Sequence, residues 1–381
     1  MKIVIAPDSF KESLSALEVA KAIESGFREI FPDAHYVKLP VADGGEGTVE
    51  AMVAATHGKV VKVKVTGPLG EPIEAFFGLS GDSNVAFIEM AAASGLESVP
   101  QAKRNPLKTT SFGTGELIRH ALDHGVKHCI IGIGGSATND GGAGMVQALG
   151  AKLLDTQGQQ IGQGGGALKQ LSSIDISELD LRIKDCRFEV ACDVTNPLTG
   201  KNGASAIFGP QKGATPEMVK QLDGYLAHFA KLIKGSLNID VDSLPGAGAA
   251  GGMGAGLHAF CGAQLRQGIE IVTEALGLEA LVKDATLVIT GEGRIDSQSI
   301  NGKVPIGVAR VAKRYNKPVI GIGGSLTKDV DVVFDHGLDA VFSVLSSICT
   351  LEDALANAAE NLHNTARNIA ATIKLAQTLP E

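Results

Sequence analysis

Apolar and polar residues follow two rhythms in the N-terminal third of the chain. "KIVIA" (2–6) is a short unbroken apolar run stopped by Pro7, the pattern of a buried strand. After Ser15 the spacing changes, and Leu17, Ala20, Ile23, Phe27 and Ile30 recur every three to four residues. That spacing predicts an amphipathic helix, opened by Ser15-Ala16-Leu17-Glu18 as a capping box. "HYVKLPV" (35–41) predicts a second strand, and "GTVEAMVAATHG" (47–58) a second helix ending on Gly58. Strands alternating with helices in this way predict a parallel sheet covered by helices.

The rhythm breaks at "KVVKVKVTGPLGEPIEAFFGL" (59–79). Val61, Val63 and Val65 alternate with polar residues up to a Gly-Pro turn, and a further strand follows, which predicts an antiparallel hairpin. To about residue 283 the pattern stays mixed: strands at 84–90, 127–133 and 188–194, helices over 115–123, from about 142, and over 216–234. Residues 243–265 carry no Asp, Glu, Lys or Arg, but seven are glycine and one is His258. The segment is therefore too weakly apolar to span a bilayer and predicts a glycine-rich loop running into a buried helix. The regular rhythm returns with strands at 285–291, 317–324 and 339–345, a helix over 302–315 and one long closing helix over 351–375.

The expected architecture is thus α/β. A Rossmann-like parallel-sheet domain is built from both chain ends, 1–65 plus 284–381. A second α+β domain, 66–283, is inserted between them, and the active site is expected in the interdomain cleft.

Composition narrows the function. Of 381 residues, 44% are hydrophobic and 20% charged, enough for a substantial core. A net charge of −8 and 4% aromatics without tryptophan argue against nucleic-acid and anionic-membrane partners, which need a basic footprint or stacking platforms. Five cysteines at irregular spacing, with no C-x-x-C pair, read as reduced thiols of a cytoplasmic protein. Glycine is in excess at 48 residues, and much of it stands where strands end.

Six strand ends run into loops rich in Gly, Asp, Ser, Thr or Asn: "APDSFKES", "PVADGGEGT", "GIGGSATNDGG", "ACDVTNP", "ITGEGRIDSQS" and "GIGGSLTKD". In open α/β sheets such loops converge on the ligand site, and glycine lets backbone amides approach an anion. The first yields Asp8, Ser9 and Lys11, with Lys11 a cation for a phosphoryl group or carboxylate. The second yields Asp43, Gly44, Gly45 and Glu46, and the third Gly134, Gly135, Ser136, Thr138, Asn139 and Asp140. Asp193 and Asn196 come from the fourth. The fifth yields Thr290, Gly291, Glu292, Gly293, Arg294, Asp296 and Ser297, with Lys303 opening the next helix. Gly323 and Gly324 come from the sixth, where "GIGGS" recurs.

Gly132-x-Gly134-x-x-Ala137 also fits the G-x-G-x-x-A form of a dinucleotide loop, with Asp155 at the distance of a ribose-binding acid. Three polar residues, 138–140, intervene before any helix, so a phosphate- or substrate-binding loop and a plain structural turn stand beside that reading. No Walker A loop, kinase signature, H-E-x-x-H or G-x-S-x-G occurs. Three functions remain open on these residues: a phosphotransferase, an NAD(P)-dependent hydroxy-acid oxidoreductase, and a non-catalytic binder of a small anion.

Taken in order, "KIVIAPDSFKESLSA", "PVADGGEGTVEA", "IGGSATNDGGAGM", "CDVTNPL", "GAAGGMGAG" and "TGEGRIDSQS" resemble the bacterial glycerate kinase family (type 1) across essentially the whole chain. The resemblance implies Mg²⁺-requiring, ATP-dependent phosphorylation of D-glycerate, with the 2-phosphate favoured over the 3-phosphate as product. It also implies two domains with the site between them. On this reading Lys11 and Arg294 stabilise charge, and Asp193 and Asp296 orient the hydroxyl or hold the metal. The glycine-loop amides hold the triphosphate or the carboxylate. A monomer or homodimer is expected.

Overall fold

A computed structural model describes residues 1–379. The chain divides into two compact units, 1–43 with 50–57 and 269–381, and 44–49 with 58–268. The boundaries near 65 and 283 therefore move to 58 and 268. Lys59–Thr66 pairs along its full length with Pro72–Leu79 and so belongs with the second sheet. Residues 269–283 form the helices Gly268–Ala275 and Leu278–Val282, grouped almost wholly with the first unit.

The first unit holds a five-stranded sheet in the order Ala340–Ser343, Val319–Leu326, Leu287–Ile295, Lys2–Ile5, His35–Lys38. Every pairing is parallel. Counted along the chain the order is 2-1-3-4-5, so the strand order reverses between Lys2–Ile5 and Leu287–Ile295. Crevices at such reversal points, outside the carboxyl ends of the strands, are where open α/β sheets bind ligands. Helix Ala16–Ile30 forms as expected: the Ser15 hydroxyl accepts from the Glu18 amide, and the Glu18 carboxylate accepts from the Ser15 amide. It buries Val19, Ala20, Ile23 and Phe27 with Ile3, Ile5 and Leu362.

The second unit holds a six-stranded sheet in the order Gln264–Arg266, Arg187–Ala191, His128–Gly132, Val85–Glu89, Pro72–Leu79, Lys59–Thr66. Its first four strands are parallel, and the last two form the expected antiparallel hairpin. A small antiparallel pair, Lys152–Leu154 with Ser173–Asp175, stands apart from it. The predicted buried helix is Ala249–Cys261, interrupted by left-handed backbone at residues 250–252. Gly251 is required there, because a Cβ would lie 1.9 Å from the Thr138 carbonyl oxygen.

Two expected elements differ. "TGEGRID" is not a loop: the strand continues to Ile295, pairing Glu292 with Gly323 and Arg294 with Ser325. Glycine makes the continuation possible, since a Cβ on Gly291 would sit 2.3 Å from the Ile322 oxygen and one on Gly324 2.4 Å from the Gly293 oxygen. The closing helix is two, Leu351–Ala356 and Ala358–Ala376, broken where Asn357 leaves helical geometry. Among the described residues no helix is long and apolar enough to cross a membrane.

Candidate functional site

In the first unit, the loop after Lys2–Ile5 is tied to the neighbouring strand at the reversal point. The Ala6 amide donates to Ile289 O and the Asp8 amide to Gly291 O, each at 2.8 Å. Asp8 is half-buried, and its carboxylate accepts from the Ser9 amide at 2.7 Å. Desolvation, with the charges of Asp43 and Glu292, pushes its carboxyl up from 3.8 to about 7, against the Ser9 hydrogen bond and the charge of Lys11. A carboxyl poised near neutrality beside an exposed lysine suits proton transfer.

Glu292 continues this cluster. Burial raises its carboxyl, opposed by a hydrogen bond from Ser299 and by the charge of Lys303. Lys303 Nζ stands 3.3 Å from Glu292 Oε2 and 3.9 Å from Asp296 Oδ1. Arg294, exposed, pairs with Asp296 Oδ2 through Nε at 2.9 Å. The structure thus gathers Asp8, Asp43, Glu292, Lys11, Arg294, Asp296 and Lys303 within one unit.

In the second unit, the loop after His128–Gly132 has its carbonyls drawn inward. Gly135 O accepts from the Leu96 amide at 2.7 Å, and Ala137 O from the Thr109 hydroxyl at 2.8 Å. Thr138 O accepts from Lys212 Nζ at 2.7 Å. Gly134 and Gly135 are exposed, with no hydrogen-bond partner for their amides among the described residues. Gly135 has φ +70°, a conformation that glycine adopts without strain. With these carbonyls drawn in, the two unpaired glycine amides are placed to receive an anion.

Behind it, Asp140 is fully buried and takes the Ser111 hydroxyl at 2.7 Å and the Ser111 and Gly142 amides at 3.0 and 3.1 Å. Asn139 donates to Ser205 Oγ at 2.9 Å. Two buried acceptors, Thr138 Oγ1 and Asn139 Oδ1, have no partner among the described residues, which is uncommon in a folded interior. Asp140 therefore braces the loop instead of facing a ligand.

Several expected site residues do other work. The buried Thr290 hydroxyl donates to Ala6 O, joining its strand to the start of the loop after Lys2–Ile5. Gly323 and Gly324 lie within Val319–Leu326, so the second "GIGGS" is a paired strand and not a phosphate loop. Ser297 bonds Asp329, and Asn196 Nδ2 donates to Asn202 O at 2.8 Å. Gly44, at φ +93°, packs against Ala191, where a Cβ would fall 2.3 Å from that residue's own. Glu46 is exposed, and the Gly45 carbonyl accepts from Thr48 Oγ1 at 2.7 Å.

Asp193 and Asp296 do not fit a resident metal cage. Asp193 Oδ1 accepts from the Gly268 amide at 3.1 Å. Asp296 accepts the Gln298 amide on one oxygen and Arg294 on the other. Among the described residues no three His, Cys, Asp or Glu side chains are grouped to hold a metal ion. The dinucleotide reading also lacks support. Helix Ala143–Ala148 has only six residues and starts beyond Asp140, and Asp155 accepts the Gln157 and Gln159 amides in a local turn.

Lys212 is the residue the sequence did not disclose. It ends the short 3₁₀ turn Pro210–Lys212, far along the chain from the loop it serves, and is buried there. Burial pulls its ammonium down to about 7, with the charge of Asp140 acting the other way. Of its sequence only the neighbouring "GPQKG" glycines and proline mark a turn, and nothing marks burial.

A model described as the glycerate kinase family matches residues 3–374. The chain is 69% identical over 375 residues to "Glycerate 2-kinase" of Escherichia coli (strain K12), covering 98% of each chain. It is 61% identical over 379 residues to "Glycerate kinase" of Bacillus subtilis (strain 168), covering 100% of this chain and 99% of that one. A crystal structure from Salmonella typhimurium LT2, of a protein assigned as glycerate kinase 2, is 73% identical, covers 100% of both chains and superposes with a TM-score of 0.94.

Proposed function

The chain belongs to the glycerate kinase family and is a glycerate kinase, a phosphotransferase acting on an alcohol group; we propose that it moves the γ-phosphoryl group of ATP to the 2-hydroxyl of D-glycerate. The observation that carries the choice of hydroxyl is the 69% identity, over 98% of both chains, with a relative named for the 2-position. The loop at 132–137 opens no helix, the next one being the six-residue Ala143–Ala148, which weighs against a nicotinamide cofactor.

The step is an in-line displacement. The substrate hydroxyl oxygen forms a bond to the γ-phosphorus, the bond from that phosphorus to the β–γ bridging oxygen breaks, and ADP departs with the electron pair. The hydroxyl proton passes to Asp8, which we assign as the acceptor in preference to Asp193, an exposed residue whose carboxylate accepts from the Gly268 amide. Lys11, Arg294 and Lys303 offset charge around the transferring group, and the Gly134 and Gly135 amides receive either the triphosphate or the glycerate carboxylate. Mg²⁺ enters as part of the nucleotide substrate, held largely by its phosphates. A substrate pair of ATP and a small metabolite fits a cytoplasmic enzyme.

Phosphorus NMR of the product, formed from ATP, Mg²⁺ and D-glycerate, tests the reading. Accumulation of 2-phosphoglycerate with stoichiometric ADP is expected. A 3-phosphate resonance would overturn the regiochemistry, and ADP release independent of glycerate would overturn the acceptor.

A further inference from the structure

We propose that Lys212 is a positioning residue for phosphoryl transfer: from behind the loop it fastens Ser136 and Thr138 so that the Gly134 and Gly135 amides face outward. The inference rests on the reading of that loop as an anion cradle.

Lys212 is the one buried lysine among the described residues. Lysine is rarely enclosed without hydrogen-bond acceptors for its ammonium, because its charge loses hydration. Here the ammonium donates to Ser136 Oγ at 2.5 Å and to the Thr138 carbonyl at 2.7 Å. Both partners belong to one three-residue stretch, so a single side chain fixes both ends of it. The middle residue, Ala137, is fixed separately: its amide donates to Ser94 O at 2.9 Å and its carbonyl accepts from Thr109. Held in this way, the stretch cannot turn the Thr138 carbonyl outward without breaking its hydrogen bond to the ammonium, nor the Ala137 carbonyl without losing Thr109.

The arrangement separates Lys212 from a catalytic residue. Its ammonium is enclosed and bonds two loop acceptors, so it acts on the substrate through the loop geometry. Removing it should weaken the ground-state and transition-state grip on whichever anion the loop receives, and leave the other substrate's binding alone.

The test uses the full-length enzyme with Lys212→Met and Ser136→Ala, measuring kcat and the KM values for MgATP and D-glycerate, beside circular dichroism and thermal unfolding. For Lys212→Met the expected result is a rise of about tenfold or more in KM for one of the two substrates, the usual consequence of losing hydrogen bonds to a charged group. The other KM should stay within about twofold, a split that a merely destabilised fold would not produce. Ser136→Ala keeps the lysine and removes one of its partners, so it should fold even where Lys212→Met does not, and should raise the same KM by a smaller factor. Wild-type constants in a folded Lys212→Met, or in Ser136→Ala where that variant alone folds, would overturn the proposal. Gly135→Val addresses the loop directly. Impaired Gly135→Val beside normal Lys212→Met removes the lysine's role alone, whereas normal Gly135→Val removes the cradle reading, and the proposal with it.

Discussion

Replacing Asp8 by asparagine should make the enzyme more stable and nearly inactive. The amide would keep the size and shape of the protonated carboxyl but could neither ionise nor accept a proton from glycerate. In the native state Asp8 titrates at about 7, against 3.8 unperturbed, because desolvation and the charges of Asp43 and Glu292 outweigh Ser9 and Lys11. The native state therefore binds the proton more tightly than the unfolded chain does. The resulting penalty on folding is absent below pH 3.8, grows as pH rises from 3.8 to about 7, and is constant above that. At about 1.4 kcal/mol per pH unit, the rise sets a ceiling of about 4 kcal/mol. Asp8 is only half-buried, and solvent screening lowers the expected gain to about 1–2 kcal/mol. Thermal unfolding of both proteins at pH 5 and pH 8 should show the Asp8→Asn variant gaining stability relative to wild type as pH rises. In a coupled ADP assay kcat should fall about 10²–10⁴-fold, and wild-type kcat should decline with acid below about pH 7. Turnover within twofold of wild type would refute the role of Asp8 in proton transfer, and a stability difference that is the same at both pH values would refute the electrostatic reasoning.

Two further outcomes follow from packing. Glu189, buried in the second sheet, holds Arg266 at 2.6 Å, Arg187 at 2.8 Å and His128 at 2.8 Å; Glu189→Gln should cost about 3 kcal/mol in urea unfolding while the folded fraction keeps its KM values. Burial alone would raise the Glu189 carboxyl, but Arg266 and the charges of Arg187 and His128 leave it below its ordinary value, so this contribution disappears as acid protonates it; an unchanged midpoint in the Glu189→Gln variant would contradict that account. Gly291→Ala places a methyl 2.3 Å from the Ile322 oxygen and should cost about 1–3 kcal/mol of stability by overpacking, read as a lowered melting temperature; a variant as stable as wild type would show that the strand pair can part there.

Periodicity reported the architecture because burial imposes it locally. The capping box at Ser15, the valine alternation at 61–65 and the apolar runs at 2–6 and 319–322 each sit on the element they indicate. What escaped was the meaning of glycine. The same five letters, "GIGGS", occur at 132–136 and again at 321–325. In the first copy Gly134 and Gly135 are exposed, and a Cβ on Gly134 would meet nothing within 4 Å. In the second, Gly321 and Gly323 are buried and Gly324 lies against the Gly293 carbonyl. Glycine records only that a side chain is absent; a neighbour brought in by the fold decides whether the gap admits an anion or another strand. Charge was illegible for the same reason. Asp8 and Glu292 are 284 residues apart, and Lys212 is 76 from Ser136. Their perturbed acidities arise from proximity that no spacing rule encodes. Motif order across the chain pointed to the family, but which carboxyl takes the proton depends on desolvation, and desolvation exists only once the sheet has formed.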